Sequence, residues 1–280
     1  MSSADLNTLR LAATDIRIDL FKALAAAGSG HSAGPLGMAD IFAALFLNVA
    51  KLKPTQPDWP ERDRIVLSNG HICPVLYATM AHAGYFPREE LMTLRKFGSR
   101  LQGHPHREAL PGLETTSGPL GSGTSEAAGM ALGFKMDQTN QRVWCLTSDG
   151  EQQEGNTWEG VMFAAAYHLD NLTVIMDRNY IQIDGNTEQI MPLDPLADKY
   201  QAFNWHVIEI DGNDMAAVIT ALKDSTQVKG KPTLILANVV PGKGVSFVEN
   251  DYVWHGKPPS QDELAKGLAE LTALREQLCQ

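Results

Sequence analysis

The chain has 280 residues, 44% of them hydrophobic, and a formal charge of −10, so it can bury a full core and is poorly suited to nucleic acid or an anionic membrane surface. Its three cysteines, Cys73, Cys145 and Cys279, form no C-x-x-C pair and read as inert thiols of a reduced, cytosolic protein. No apolar run is long enough to span a bilayer and the first residues lack the order of a signal peptide, so the expected compartment is the cytoplasm.

Leu6, Leu9, Ala13, Ile16, Leu20 and Leu24 recur at helical spacing and predict an amphipathic helix over residues 4–27. "GSGHSAGPLG" breaks that pattern, and "MADIFAALFLNVA" resumes it. "DRIVLSNGH" reads as a short buried strand ending in a turn at Asn69-Gly70. A further helix starts near Pro74, and a glycine-rich, histidine-bearing loop region follows from Gly98 to Gly123. The centre then alternates, with "RVWCLTS", "NLTVIMD", "WHVIEI" and "PTLILANVV" as strands and "NTWEGVMFAAAYHL" as a helix. Such alternation predicts an α/β fold with a doubly wound, mostly parallel sheet covered by helices on both faces. Ser260 and Glu263 form a capping box that opens a last helix, "QDELAKGLAELTALREQL". No repeat or linker interrupts the chain, so residues 1–280 read as a single domain.

Two consecutive strands run out into oxygen-bearing side chains, Asp149 in "VWCLTSDGEQQEG" and Asn179 in "LTVIMDRNYIQIDG". In an open parallel sheet, ligands sit beyond the carboxyl ends of the strands. A carboxylate and an amide oxygen there suit a hard cation such as Mg²⁺, which also takes phosphate oxygens. Gly150 lets a ligand approach the backbone, and the next helix starts nearby with free N–H groups. Either residue alone reads more readily as a cap or a turn, because Asp and Asn dominate such positions. The pair at matching strand ends favours a metal–diphosphate site.

The segment "SDGEQQEGNTWEGVMFAAAYHLDNLTVIMDRNYIQIDG" resembles the thiamine diphosphate motif, and within that class the chain is similar to the N-terminal, diphosphate-binding part of transketolases. The resemblance implies that Asp149, Asn179 and the backbone carbonyl of Ile181 hold Mg²⁺ and that Gly150 contacts the diphosphate. Ser148 stands where the motif usually has glycine. Four of the eight histidines fall in transketolase-like motifs: His31 in "GHSAGPLGMA", His71 in "LSNGH", His104 in "GHP" and His255 in "WHG". The first departs slightly, with Ala33-Gly34-Pro35 where relatives read G-A-P. By the same resemblance His71 and His255 face the diphosphate, while His31, His104 and His255 line the channel to the donor sugar.

"GPLGSGTSEAAG" fails as a dinucleotide fingerprint, because Glu126 takes the place of the third glycine after Gly121 and Gly123. It resembles the transketolase G-P-L-G-x-G loop, in which Gly118 and Leu120 lie against the cofactor. Glu154 and Glu159 match family glutamates that approach the partner's cofactor site. Lys243 reads equally as a phosphate neighbour or a solvated loop residue.

Nothing in the chain matches the pyrimidine-binding or C-terminal domains of transketolases. The expected protein is therefore the N-terminal subunit of a split transketolase, in an α₂β₂ assembly with a separate chain that supplies them. The implied reaction is Mg-thiamine diphosphate-dependent transfer of a two-carbon ketol unit from a ketose donor, phosphorylated or not, to an aldose. Other readings are a subunit of a 2-oxo acid dehydrogenase or of a deoxyxylulose phosphate synthase relative, or a cofactor-binding module without catalysis. "GPLGSG", "LSNGH" and "WHG" together favour transketolase; the sugars themselves are not legible.

Overall fold

The computed structural model describes residues 3–279. Met1, Ser2 and Gln280, which the expected domain includes, lie outside them. In chain order the main elements are α1 (Ser3–Ala27), α2 (Ala33–Ala44), β1 (Arg64–Leu67), α3 (Cys73–Ala83), α4 (Ser122–Met136), β2 (Val143–Ser148) and α5 (Gly155–Ala166). They continue with β3 (Leu172–Arg178), the strands β4 (Ile181–Gln182) and β5 (Gly185–Asn186), α6 (Thr187–Ile190) and α7 (Leu196–Ala202). The last are β6 (His206–Asp211), α8 (Met215–Ser225), β7 (Thr233–Asn238) and α9 (Gln261–Leu278).

The five runs read as strands form one parallel sheet in the order β1-β2-β3-β7-β6. Their near-continuous apolar character has a simple cause: both faces are covered. Ile65, Leu67, Trp144, Leu146, Ile175 and Ile235 point into a core shared with α1, α2, α3, α8 and α9. Alternate residues, Val66, Val143, Cys145, Val174, Met176 and Leu234, pack on α4, α5 and α7 across the sheet. β6 closes one side of the sheet and is not buried along its length. It carries Glu209 and Asp211, charges that discourage a further strand from pairing there.

The break expected over "GSGHSAGPLG" is shorter than the sequence suggests, because α2 begins at Ala33 and takes in Gly34, Pro35 and Gly37. Pro35 is harmless in the first turn, where its missing N–H has no partner to lose. Gly37 serves packing. A Cβ there would come within 2.7 Å of Val239 Cγ1 and 2.9 Å of the Val240 carbonyl oxygen, so the absent side chain lets α2 close on the segment leaving β7. All residues of α2 are buried. Its Asp40 forms a buried ion pair with Arg17 of α1, whose Nε also donates to the Leu36 carbonyl at 2.9 Å. The Ser260–Glu263 capping box is present at the start of α9.

Candidate active site

β2 and β3 are adjacent and parallel, with Ser148 in register with Asp177. Asp149 and Asn179, each one residue past its strand, therefore emerge at the same end of the sheet. Asp149 is fully buried. Its Oδ1 accepts from the Gly150 N–H at 2.7 Å, and its Oδ2 from the Tyr180 N–H at 2.7 Å and Arg178 Nη1 at 3.2 Å. Burial pushes its carboxyl up to about 6, against the opposing pull of Arg178 and the two N–H donors. The Asn179 side-chain oxygen accepts from the Ile181 N–H at 3.0 Å and folds the turn that carries Ile181 into the hairpin β4–β5.

Beside this pair, which is buried and does not itself line it, lies a cavity of about 390 Å³ that gathers most of the other residues singled out in the sequence. His31, His71, His104 and His255 line it together with Gly118, Leu120, Gly150, Glu154 and Ile181. Four loops deliver the imidazoles: before α2, after β1, before α4 and before α9. His31, His71 and His255 form a triangle with ring centroids 5.0, 5.2 and 5.6 Å apart. Burial lowers His31 to about 4, helped by His255, Arg95 and His104. It drives His71 well below the usual imidazole range and also lowers His255 and, with Arg95, His104. At neutral pH these rings are uncharged, each with one donor and one acceptor nitrogen.

Ser148, which departs from the usual glycine, keeps an ordinary strand backbone and is absent from the positive-φ residues. Its neighbour Glu151, fully buried, explains what the serine does. The Glu151 carboxylate accepts from Ser68 Oγ, from the Gly121 N–H at 2.5 Å and from the Ser148 N–H at 3.3 Å, while Ser148 Oγ accepts from the Glu151 N–H at 3.3 Å. Ser68 Oγ also accepts from the Gly123 N–H at 3.0 Å. One carboxylate thus ties the tips of β1 and β2 to the loop that carries Gly118 and Leu120.

Glu159 is exposed on α5 and does not line the cavity, and Lys243 lies half-buried in the loop after β7, also outside the lining. Sequence reasoning missed Glu151 and Arg178, whose roles depend on contacts remote in sequence. Arg178 is 1% exposed, pairs with Asp149, Glu188 and Asp194, and lies 3.9 Å from the Tyr180 ring centre. Asp177 is buried beneath the pair; burial and the Asp149 charge push its carboxyl well above the usual range.

The residues fit a divalent cation with a diphosphate. The oxygen set of Asp149, Asn179 and the Ile181 carbonyl is hard, and Gly118 has open space where a side chain would stand. His31 Nδ1 is buried without a hydrogen-bond partner, an orphan that a polar ligand would satisfy.

The family model for the transketolase thiamine diphosphate binding domain matches residues 8–273. The 6-deoxy-6-sulfo-D-fructose transketolase subunit of Clostridium sp. (strain MSTE9) is 43% identical over 87% of this chain and 89% of its own length. An apulose-4-phosphate transketolase subunit of Phocaeicola vulgatus is 37% identical over 97% of this chain and 96% of its own. Transketolase from Leishmania mexicana superposes with a TM-score of 0.86 at 31% identity, covering 100% of this chain but 45% of that one. The chain therefore spans nearly the full length of the named subunits and under half of such a single-chain transketolase. Among the described residues no helix is long and apolar enough to cross a membrane.

Proposed function

Because this chain belongs to the transketolase thiamine diphosphate-binding domain family, we propose that it is the diphosphate-binding subunit of a two-chain, cytoplasmic transketolase whose partner supplies the pyrimidine-binding and C-terminal domains. An α₂β₂ assembly, with cofactors held between unlike chains, suits that division. The observation that carries the reading is the single cavity lined by His31, His71, His104 and His255 at the ends of β2 and β3.

When bound, Mg-thiamine diphosphate supplies the carbon nucleophile that takes up a two-carbon ketol unit and passes it to an aldose. Asp149, Asn179 and the Ile181 carbonyl would hold the metal, and the Gly150 backbone, Gly118, Leu120, His71 and His255 would receive the cofactor. Neutral His31, His104 and His255 orient sugar hydroxyls and exchange protons with them, a task suited to rings kept uncharged by burial. Glu154 lines the cavity at the residue before α5 and Glu159 stands exposed on α5, both open to contact from a partner chain. We assign them to a proton relay between cofactor sites.

The test mixes the chain with its co-purified partner, Mg²⁺ and thiamine diphosphate, and screens ketose donors with aldose acceptors. Ketol transfer by the mixture and by neither chain alone is expected. Turnover by this chain alone, or CO₂ release from 2-oxo acids without ketol transfer, would overturn the assignment.

A further inference from the structure

Arg178 ends β3 and lies buried between the Asp149 carboxylate and the loop that follows the β4–β5 ribbon. Its guanidinium faces both. Nη1 donates to Asp149 Oδ2 and to Thr187 Oγ1, each at 3.2 Å, while Nη2 donates to Glu188 Oε1 at 2.7 Å and stands 3.1 Å from Asp194 Oδ1. The guanidinium carbon also lies 3.9 Å from the centre of the Tyr180 ring. Tyr180 holds φ at 62°, a region that a bulky side chain seldom adopts, and its N–H donates to Asp149 Oδ2 at 2.7 Å.

Glu188 closes the loop on itself, because its carboxylate accepts from the N–H groups of Leu193 at 3.1 Å and Asp194 at 3.2 Å. Among the described residues, no hydrogen bond joins this loop to Asp149 directly; the guanidinium is the bridge. A carboxylate offers about four lone-pair sites, shared between its oxygens. At Asp149, Arg178 and the Tyr180 N–H fill those of Oδ2, and the Gly150 N–H takes one on Oδ1. Oδ1 keeps the other. The Asn179 side-chain oxygen likewise keeps a free site after accepting from the Ile181 N–H.

Accepting the reading of Asp149 and Asn179 as Mg²⁺ ligands, we propose that Arg178 is a positioning residue for that site: it clamps Asp149 Oδ2, leaves Oδ1 to the cation, and makes the clamp depend on the loop at 187–194. Coulomb's law alone argues the other way, since a positive charge beside a divalent cation repels it. Glu188 and Asp194 offset that charge from the solvent side, and what Arg178 then contributes is orientation. The fork of N–H donors suits it to this bridging, which a single ammonium cannot reproduce.

The test uses the assembled complex with thiamine diphosphate, and Mn²⁺ as a paramagnetic stand-in for Mg²⁺, its affinity read by electron paramagnetic resonance. Arg178→Gln is expected to weaken Mn²⁺ binding about tenfold or more, the usual scale for a group that orients a ligand. Arg178→Lys, which keeps the charge without the fork, should not restore it. Glu188→Gln should weaken it in the same direction by a smaller factor, although Glu188 makes no contact with Asp149. A merely structural ion pair would lower the melting temperature of the metal-free complex and leave the affinity of the folded protein where it was. Affinity unchanged or tightened in Arg178→Gln, or fully restored by lysine, overturns the positioning role. Unchanged affinity in Glu188→Gln overturns the tie to the loop, and this variant decides the matter if Arg178→Gln does not fold. A native complex that binds no Mn²⁺ removes the metal assignment and this inference together; native binding matched by the variants removes the inference alone.

Discussion

Acid should expose how His31 is held. Burial, the nearby His255, Arg95 and His104 lower its ring from the ordinary 6.5 to about 4. That displacement corresponds to about 3 kcal/mol between charged and neutral rings. The folded chain disfavours the proton that the unfolded chain accepts, so this contribution is constant above pH 6.5 and is lost as pH falls toward about 4. Asp149 works in the opposite sense: its carboxyl, raised from 3.8 to about 6 by burial, takes up a proton in the folded state first and gains stability over an overlapping window. The two partly cancel, so the profile of the native chain alone is uninformative. The difference between native and His31→Gln, measured by urea unfolding without metal at pH 7, 6, 5 and 4, isolates the imidazole. We expect the variant to lose up to about 3 kcal/mol less than the native chain on acidification. Parallel profiles would mean that the ring is hydrated in the fold, and the neutral-histidine account of the site would go with it.

Replacing Asp149 or Asn179 by Ala should weaken Mg²⁺-dependent cofactor binding about 100-fold, seen by calorimetric titration of the complex, and EDTA should abolish native activity. Binding unchanged by either substitution would remove the metal assignment. His104→Ala should lower kcat by about 100-fold while leaving the cofactor dissociation constant alone; a change confined to that constant would place His104 outside the sugar channel. Glu151→Gln puts an amide donor among three donors and should cost about 2 kcal/mol in thermal or urea unfolding, with weaker cofactor binding as the Gly118–Gly121 loop loosens. An unaltered melting temperature would show that the loops are held by other contacts.

The strands are legible because a sheet covered on both faces demands apolar runs such as "VWCLTS" and "LTVIMDR", and those runs look alike in any setting. Their adjacency, and with it the shared end for Asp149 and Asn179, follows from one helix crossing between them. The start of α2 is easily misread because Gly34, Pro35 and Gly37 resemble punctuation when their neighbours are unknown. Once Val239 and Val240 are seen beside Gly37, the same residue reads as close packing. The two-stranded β4–β5 ribbon is too short to leave a periodic trace. The four motif histidines are visible as loop residues, and the cavity gathers all of them.

α2 is enclosed on every side, and His31 sits just before its first turn. Amides in such a buried segment should be among the slowest to exchange with deuterated solvent. The imidazole is thus moored to a helix buried along its whole length, with little slack for drifting out of alignment. A sugar bound as proposed would meet a ring already set rather than one that must move to receive it.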